Sequence, residues 1–183
     1  LLLEAFTRAP SFAEFAPDAE VNTARDRNWL MGLAVLVLLL TLLAAVLLFR
    51  RVEMPRVLFG GMLIADRYAL FFCFLFVVVA LVTVVSYGAY AREHRVEHGE
   101  FYALILFGTA GMVILAMATD LVSVFIGVET MSMAAYVLTG AFRYRPSSGE
   151  GALKYFLLGA FASAFFLYGI ALVYGMTGTT RLA

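Results

Sequence analysis

A chain of 183 residues that is 63% hydrophobic and only 14% charged is no ordinary soluble domain, where about 25% of residues carry charge. Its 13 basic and 13 acidic residues cancel, which leaves neither a basic face for nucleic acid nor an acidic tail for a cationic partner. The single cysteine, Cys73, excludes an internal disulfide and a multi-cysteine metal site and reads as packing filler.

The chain opens Leu1-Leu2-Leu3-Glu4-Ala5-Phe6, without Met and without a basic lead, so it does not read as a signal peptide. It reads as the tail of an earlier hydrophobic helix, and the chain as a fragment cut within that helix. A polar loop with Pro10 and Pro17 then runs to Asn28. Crossing ~30 Å of hydrocarbon takes about 20 helical residues, and five stretches meet or approach that length: 29–49, 69–90, 101–118, 121–142 and 152–175. They are too long and too continuously apolar for barrel strands, so helices are expected. The fold class is therefore an all-α polytopic membrane protein with about five complete transmembrane helices, a bundle over 29–178, and a short tail at 179–183. Trp29 enters the first span, and Tyr87 and Tyr90 close the second, as interfacial aromatics do.

The connections are short. Residues 54–66 hold Pro55, Gly60 and Gly61 and suit a small hairpin. Residues 92–100 are charged, Thr119 and Asp120 form a tight turn, and 143–151 hold Pro146, Ser147, Ser148 and Gly149 as a loop. Arginines fall seven to five between the two sides. Arg8, Arg25, Arg27, Arg92, Arg95, Arg143 and Arg145 stand against Arg50, Arg51, Arg56, Arg67 and Arg181. The positive-inside rule assigns the first set to the cytoplasm. Gly108 and Gly111 on the third helix, and Gly159 and Ser163 on the fifth, read as small residues at helix contacts.

Glu129 is the residue that points to function. It is the only acid between Leu121 and Phe142, and an ionisable group at membrane depth costs about 2.5–3.5 kcal/mol on insertion scales. It stands eight residues from the start of its helix, ~12 Å deep, beyond the reach of snorkelling. Ser132 and Tyr136 share its face at i+3 and i+7. A proton station explains such a residue better than a structural hydrogen bond does. Lys154, the only lysine, is expected two residues inside the next helix, where snorkelling competes with function. The two are expected ~15 Å apart, which makes Lys154 a second station rather than a salt-bridge partner. His94 and His98 are four apart, but their charged surroundings read as a solvated turn and not as a metal seat. No phosphate-binding loop, dinucleotide fingerprint, haem or cluster ligand set is visible.

The strings go further than the spacing. They are Glu100-Phe101-Tyr102-Ala103-Leu104, Gly111-Met112, Asp120-Leu121, Gly127-Val128-Glu129-Thr130-Met131-Ser132, Tyr136-Val137-Leu138 and the run from Ala152 through Lys154 to Gly169. Together they resemble the antiporter-like membrane subunits of respiratory complex I, on its subunit N (mitochondrial chain 2) branch. The resemblance covers Asp66 to Gly178, and the run from Ala152 to Gly169 is its specific part. It implies two inverted helical repeats, of which this chain would hold the end of helix one through helix six. It also implies that Glu129 and Lys154 are proton-path residues. The family's main partner for the glutamate is a lysine on a broken helix seven, which falls outside this sequence. Many relatives have proline where Ala134 stands, and the loop before Trp29 is longer than usual. No cofactor is implied for this chain; NADH, flavin, iron–sulfur clusters and quinone belong to the whole assembly. The implied partners are the other membrane subunits and the bilayer, in a bacterial inner membrane.

Three readings compete. The favoured one is a proton-translocating subunit of NADH–quinone oxidoreductase. A subunit of a multisubunit cation/proton antiporter or membrane hydrogenase shares the same helices. A non-catalytic scaffold has no use for an acid at the depth of Glu129.

Overall fold

The computed structural model describes residues 20–51, 54–94, 99–141 and 146–182. Five helices carry it: α1 (Glu20–Arg51), α2 (Arg67–His94), α3 (Glu100–Met117), α4 (Leu121–Thr139) and α5 (Pro146–Thr177). All five contain a stretch long and apolar enough to cross a membrane. Their apolar residues do not segregate to one face. Leu36 and Leu40 on α1, Phe71 on α2, and Phe161 and Phe165 on α5 point outward and are exposed. Outward leucine and phenylalanine on helices apolar all round is the pattern lipid selects and water rejects.

Between α1 and α2 lies the expected hairpin. Strands β1 (Arg56–Leu58) and β2 (Leu63–Ala65) pair antiparallel, Val57 opposite Ile64. The turn Phe59–Gly61 between them has positive φ at Phe59, Gly60 and Gly61, a backbone that glycine adopts freely at two of its three positions.

Two boundaries differ from expectation. Residues 20–28, expected as loop, continue α1 upstream of Trp29. Helical hydrogen bonding has no stake in hydropathy, so a helix can run beyond its apolar part. Residues 146–151, also expected as loop, form the first turn and a half of α5. Pro146 is the first helical residue, where its fixed φ suits the helix and its missing N–H is no loss. The remaining ends agree with expectation to within a few residues. Residues 1–19, including the expected end of an earlier helix, and His98 lie outside the described residues.

The helices pack in sequence. The core cluster joins α1 (Ala34, Leu38), α2 (Val77, Ala80, Val84) and α3 (Tyr102, Ile105), with Tyr87 stacked on Phe101 at 4.0 Å between ring centroids. Cys73 is buried in α2, as a small apolar filler should be. Helix α4 packs on α3, and α5 on α4.

One end of the bundle is tied together. The hairpin, the α3–α4 link and the segment after α5 form one hydrogen-bonded knot. Leu63 bridges Ala118. The Thr119 hydroxyl donates to the Gly61 carbonyl (2.8 Å), and the Thr119 amide to Met62 (3.1 Å). From the other side, the Leu121 amide donates to Thr180 (2.8 Å) and the Leu182 amide to Thr119 (3.0 Å). Arg181 reaches across to the Gly60 carbonyl (3.2 Å). Residues 180–182, expected as a tail, are thus stitched in. Their backbone groups find partners that a free tail leaves to water.

Candidate functional site

The site is built on α4. Its start is fixed by Asp120, whose extended backbone and carboxylate cap the helix by accepting from the Val122 amide (2.8 Å). The other Asp120 oxygen accepts from the Thr180 hydroxyl (2.6 Å). Asp120 is buried with both carboxylate oxygens engaged, so it anchors the start of α4.

One face of α4 is pressed against α3. A β-carbon at Gly111 would lie 2.6 Å from the Met131 nitrogen and 2.9 Å from the Gly127 carbonyl; one at Gly127 would lie 2.9 Å from the Leu115 nitrogen. Here the two backbones touch, as small residues at a membrane-helix crossing allow. Gly108 adds to the same seam: a β-carbon there would lie 3.3 Å from that of Ala134. Ala134 is thus buried in an unbroken helix.

The other face carries Glu129, eight residues from the start of α4 and ten from its end. That places it ~12 and ~15 Å from the two ends, at mid-depth. It is half-buried within this chain. Its carboxylate oxygen Oε1 accepts a hydrogen bond from the Ser163 hydroxyl on α5. Seven residues on, the Tyr136 hydroxyl lies directly over Gly159 of α5, where a β-carbon would collide with it. The Tyr136 ring is T-shaped to Tyr155 at 4.7 Å and to Phe156 at 5.7 Å. At the far end of this seam the Ser148 hydroxyl donates to the Thr139 carbonyl (2.6 Å) and pins the start of α5 to the end of α4.

These contacts fix an antiparallel register: Gly140 against Ala152, Tyr136 against Gly159, Glu129 against Ser163 and Phe125 against Phe166. Lys154 is therefore level with the last turn of α4, although it lies eight residues inside α5 and not two. Nine residues separate it from Ser163, ~13 Å and about two and a half turns. It leaves the opposite side of α5 from Ser163, is 70% exposed at its side chain, and pairs with Glu150 one turn back. The structure brings Glu129 together with Ser163 and keeps Lys154 apart from both.

Sequence reasoning assigned Ser163 and Gly159 to helix packing and so missed their part in the site. Register was the signal that finds them. Ser163 follows Ala152 by the same eleven steps that Glu129 precedes Gly140, and those two small residues meet. Among the described residues no three His, Cys, Asp or Glu gather as a metal site.

The chain is thus a multi-spanning helical membrane protein with a carboxyl midway along α4, hydrogen-bonded to the next helix. Residues 118–183 match the family described as "NADH:quinone oxidoreductase/Mrp antiporter, TM". Over 121 residues the chain is 52% identical to NADH-quinone oxidoreductase subunit N 1 of Sorangium cellulosum, covering 66% of this chain and 24% of that protein. Over 162 residues it is 41% identical to subunit N 2 of Rhizobium meliloti, covering 88% and 33%. The fold is similar to a chain of respiratory complex I from Thermus thermophilus with bound aureothin. The TM-score is 0.70 at 34% identity, over 86% of this chain and 34% of that one. A chain of the archaeal membrane-bound sulfane sulfur reductase gives a TM-score of 0.70 at 25% identity, over 82% of this chain and 33% of that one. The chain belongs to the family of antiporter-like membrane subunits of the NADH–quinone oxidoreductases. It spans about a quarter to a third of the length of these curated relatives. Its place is the membrane, crossed several times; in the bacteria that supply the relatives, that is the plasma membrane.

Proposed function

We propose that this chain is part of a proton-translocating membrane subunit of an NADH–quinone oxidoreductase, contributing a half-path in which Glu129 and Lys154 are stations. The observation that carries the reading is the placement of Glu129. A mid-bilayer acid costs about 2.5–3.5 kcal/mol, and one hydrogen bond from Ser163 recovers roughly 1–3 kcal/mol depending on its charge. At best the pair breaks even, so stability gives no reason to keep it. Function does: a carboxyl at mid-depth can take a proton from one side and give it to the other.

Lys154 serves differently. Level with the last turn of α4 and on the outward side of α5, it is a carrier near the membrane surface, in contact with Glu150. The redox chemistry of the assembly is assigned to other subunits. NADH, flavin, iron–sulfur clusters and quinone are theirs, and this chain contributes proton movement driven by them. Its partners are the neighbouring membrane subunits and lipid.

A cation/proton antiporter is the second reading, favoured by the family description, which names Mrp antiporters alongside the oxidoreductases. One experiment separates the two. Glu129→Gln and Lys154→Gln are placed in the full-length subunit of an assembled complex in inverted membrane vesicles. Dye quenching then follows acidification driven by NADH. The oxidoreductase reading expects both variants to lower the protons moved per NADH oxidised, with no sodium requirement. NADH-independent proton uptake driven by a sodium gradient, lost in Glu129→Gln, would establish the antiporter instead.

A further inference from the structure

Glu129 and Lys154 are too far apart to exchange a proton directly, and beyond Glu129 the seam between α4 and α5 carries further polar side chains. Tyr136 is one of them. The Tyr136 hydroxyl lies over Gly159, four residues from Ser163 and five from Lys154 along α5, ~6 and ~7.5 Å on the helix axis. A water making two hydrogen bonds spans about 5.5 Å, so the gap to Ser163, on the same side of α5, is close to a one-water step, whereas Lys154 leaves the helix on its far side, exposed and paired with Glu150. Resting on the proposed function, we propose that Tyr136 is a relay that passes protons from the end of α4 through Ser163 to Glu129, and that Gly159 is the slot that seats its hydroxyl.

Three observations converge on it. First, the Ser163 hydroxyl already holds the Glu129 carboxylate, so the inner end of the relay is formed. Second, a tyrosine whose ring lies between Tyr155 and Phe156 has its orientation fixed by packing, as a relay requires. Third, only glycine at 159 lets that hydroxyl reach the α5 backbone. In the transfer the phenol oxygen accepts a proton on its lone pair from a water on the side of the α4 end. It releases its own proton to a water on the Ser163 side. One O–H bond forms as another breaks, and no charge remains on the ring. Serine passes the proton to Glu129 in the same way. A turn of the hydroxyls resets the chain for the next proton.

The test uses the assembled complex with the full-length subunit, in inverted vesicles, and scores protons moved per NADH oxidised at equal amounts of complex. Tyr136→Phe removes the oxygen and keeps the ring. The ratio is expected to fall by roughly half or more, the remainder carried by water that replaces the hydroxyl. Ser163→Ala should lower it too, and Ser163→Thr, which keeps a hydroxyl, should restore it. Gly159→Ala should match Tyr136→Phe, because the displaced ring takes its hydroxyl off the line. A wild-type ratio in both Tyr136→Phe and Ser163→Ala, with Glu129→Gln impaired in parallel, overturns the relay and leaves the proposed function standing. A wild-type ratio in Glu129→Gln overturns both.

Discussion

The two faces of α4 meet their neighbours in opposite ways. Toward α3, Gly127 meets Gly111 backbone to backbone, and no atom there can give way. Toward α5, the contact is made by side chains: Glu129 with Ser163, Tyr136 over Gly159, Phe125 near Phe166. The first seam fixes a helix in place. The second holds hydroxyls and a carboxyl, the groups that in the proposed function exchange protons without moving a backbone. One helix thus serves as anchored wall and, in the proposed function, as reactive surface, and the difference lies in whether backbone or side chains make the contact. Three substitutions and one labelling experiment probe that division, in descending order of expected effect.

The largest effect belongs to the rigid seam. Gly111→Ala sets a β-carbon 2.6 Å from the Met131 nitrogen, and since that atom is backbone, α3 and α4 must separate. Overpacking of this kind costs about 1–3 kcal/mol, and the level of assembled complex in the membrane should drop in proportion. Assembly at the wild-type level would show that the seam can open, contrary to its backbone contacts.

Next comes the anchor. Asp120→Ala removes the α4 cap and the partner of Thr180, together worth about 2 kcal/mol. Amide hydrogen exchange should speed up at Leu121, Val122 and Leu182, while amides around Glu129 stay protected. Uniform loosening of α4 would mean that the knot at this end does not act locally.

The smallest is Glu150→Gln. It breaks an exposed i,i+4 ion pair with the glutamate on the favourable, N-terminal side. A change in thermal stability of roughly 0.5 kcal/mol or less is expected. A loss of several times that would mean that the pair is buried in the assembled protein.

Sidedness sharpens the comparison without changing stability. The knotted end, with residues 54–66 and 118–120, should face away from the cytoplasm, and the Ser148–Thr139 end toward it. The motive is the seven-to-five arginine split. Cysteines at Met54 and Ser147, both exposed, in a Cys73→Ala background report it through a membrane-impermeant thiol reagent on intact cells. Labelling at 147 and not at 54 inverts the orientation.

The spans were legible because hydrocarbon thickness leaves a long apolar run no other use. Their ends were not. Residues 20–28 are polar, and Pro146-Ser147-Ser148-Gly149 has the composition of a turn, yet both are helical, since a helix satisfies its own backbone wherever it extends. The hairpin was announced by Pro55, Gly60 and Gly61. In the site, Glu129 stood out because charge is costly in lipid. Ser163 did not, because a serine among alanines looks like any small residue until the register places it opposite an acid. The Asp120–Thr180 bond joins residues sixty positions apart, and nothing local in either segment announces it.

The central claim is that Glu129 changes its protonation as the complex turns over, and infrared difference spectroscopy reads this directly. Spectra are taken from the assembled complex before and after addition of NADH, for wild type and for Glu129→Gln. A carboxyl C=O stretching band should appear in the wild-type difference spectrum, shift in deuterium oxide, and be missing from Glu129→Gln. The same carboxyl bands in both proteins would show that Glu129 holds one protonation state throughout, and its place at mid-depth would need another explanation.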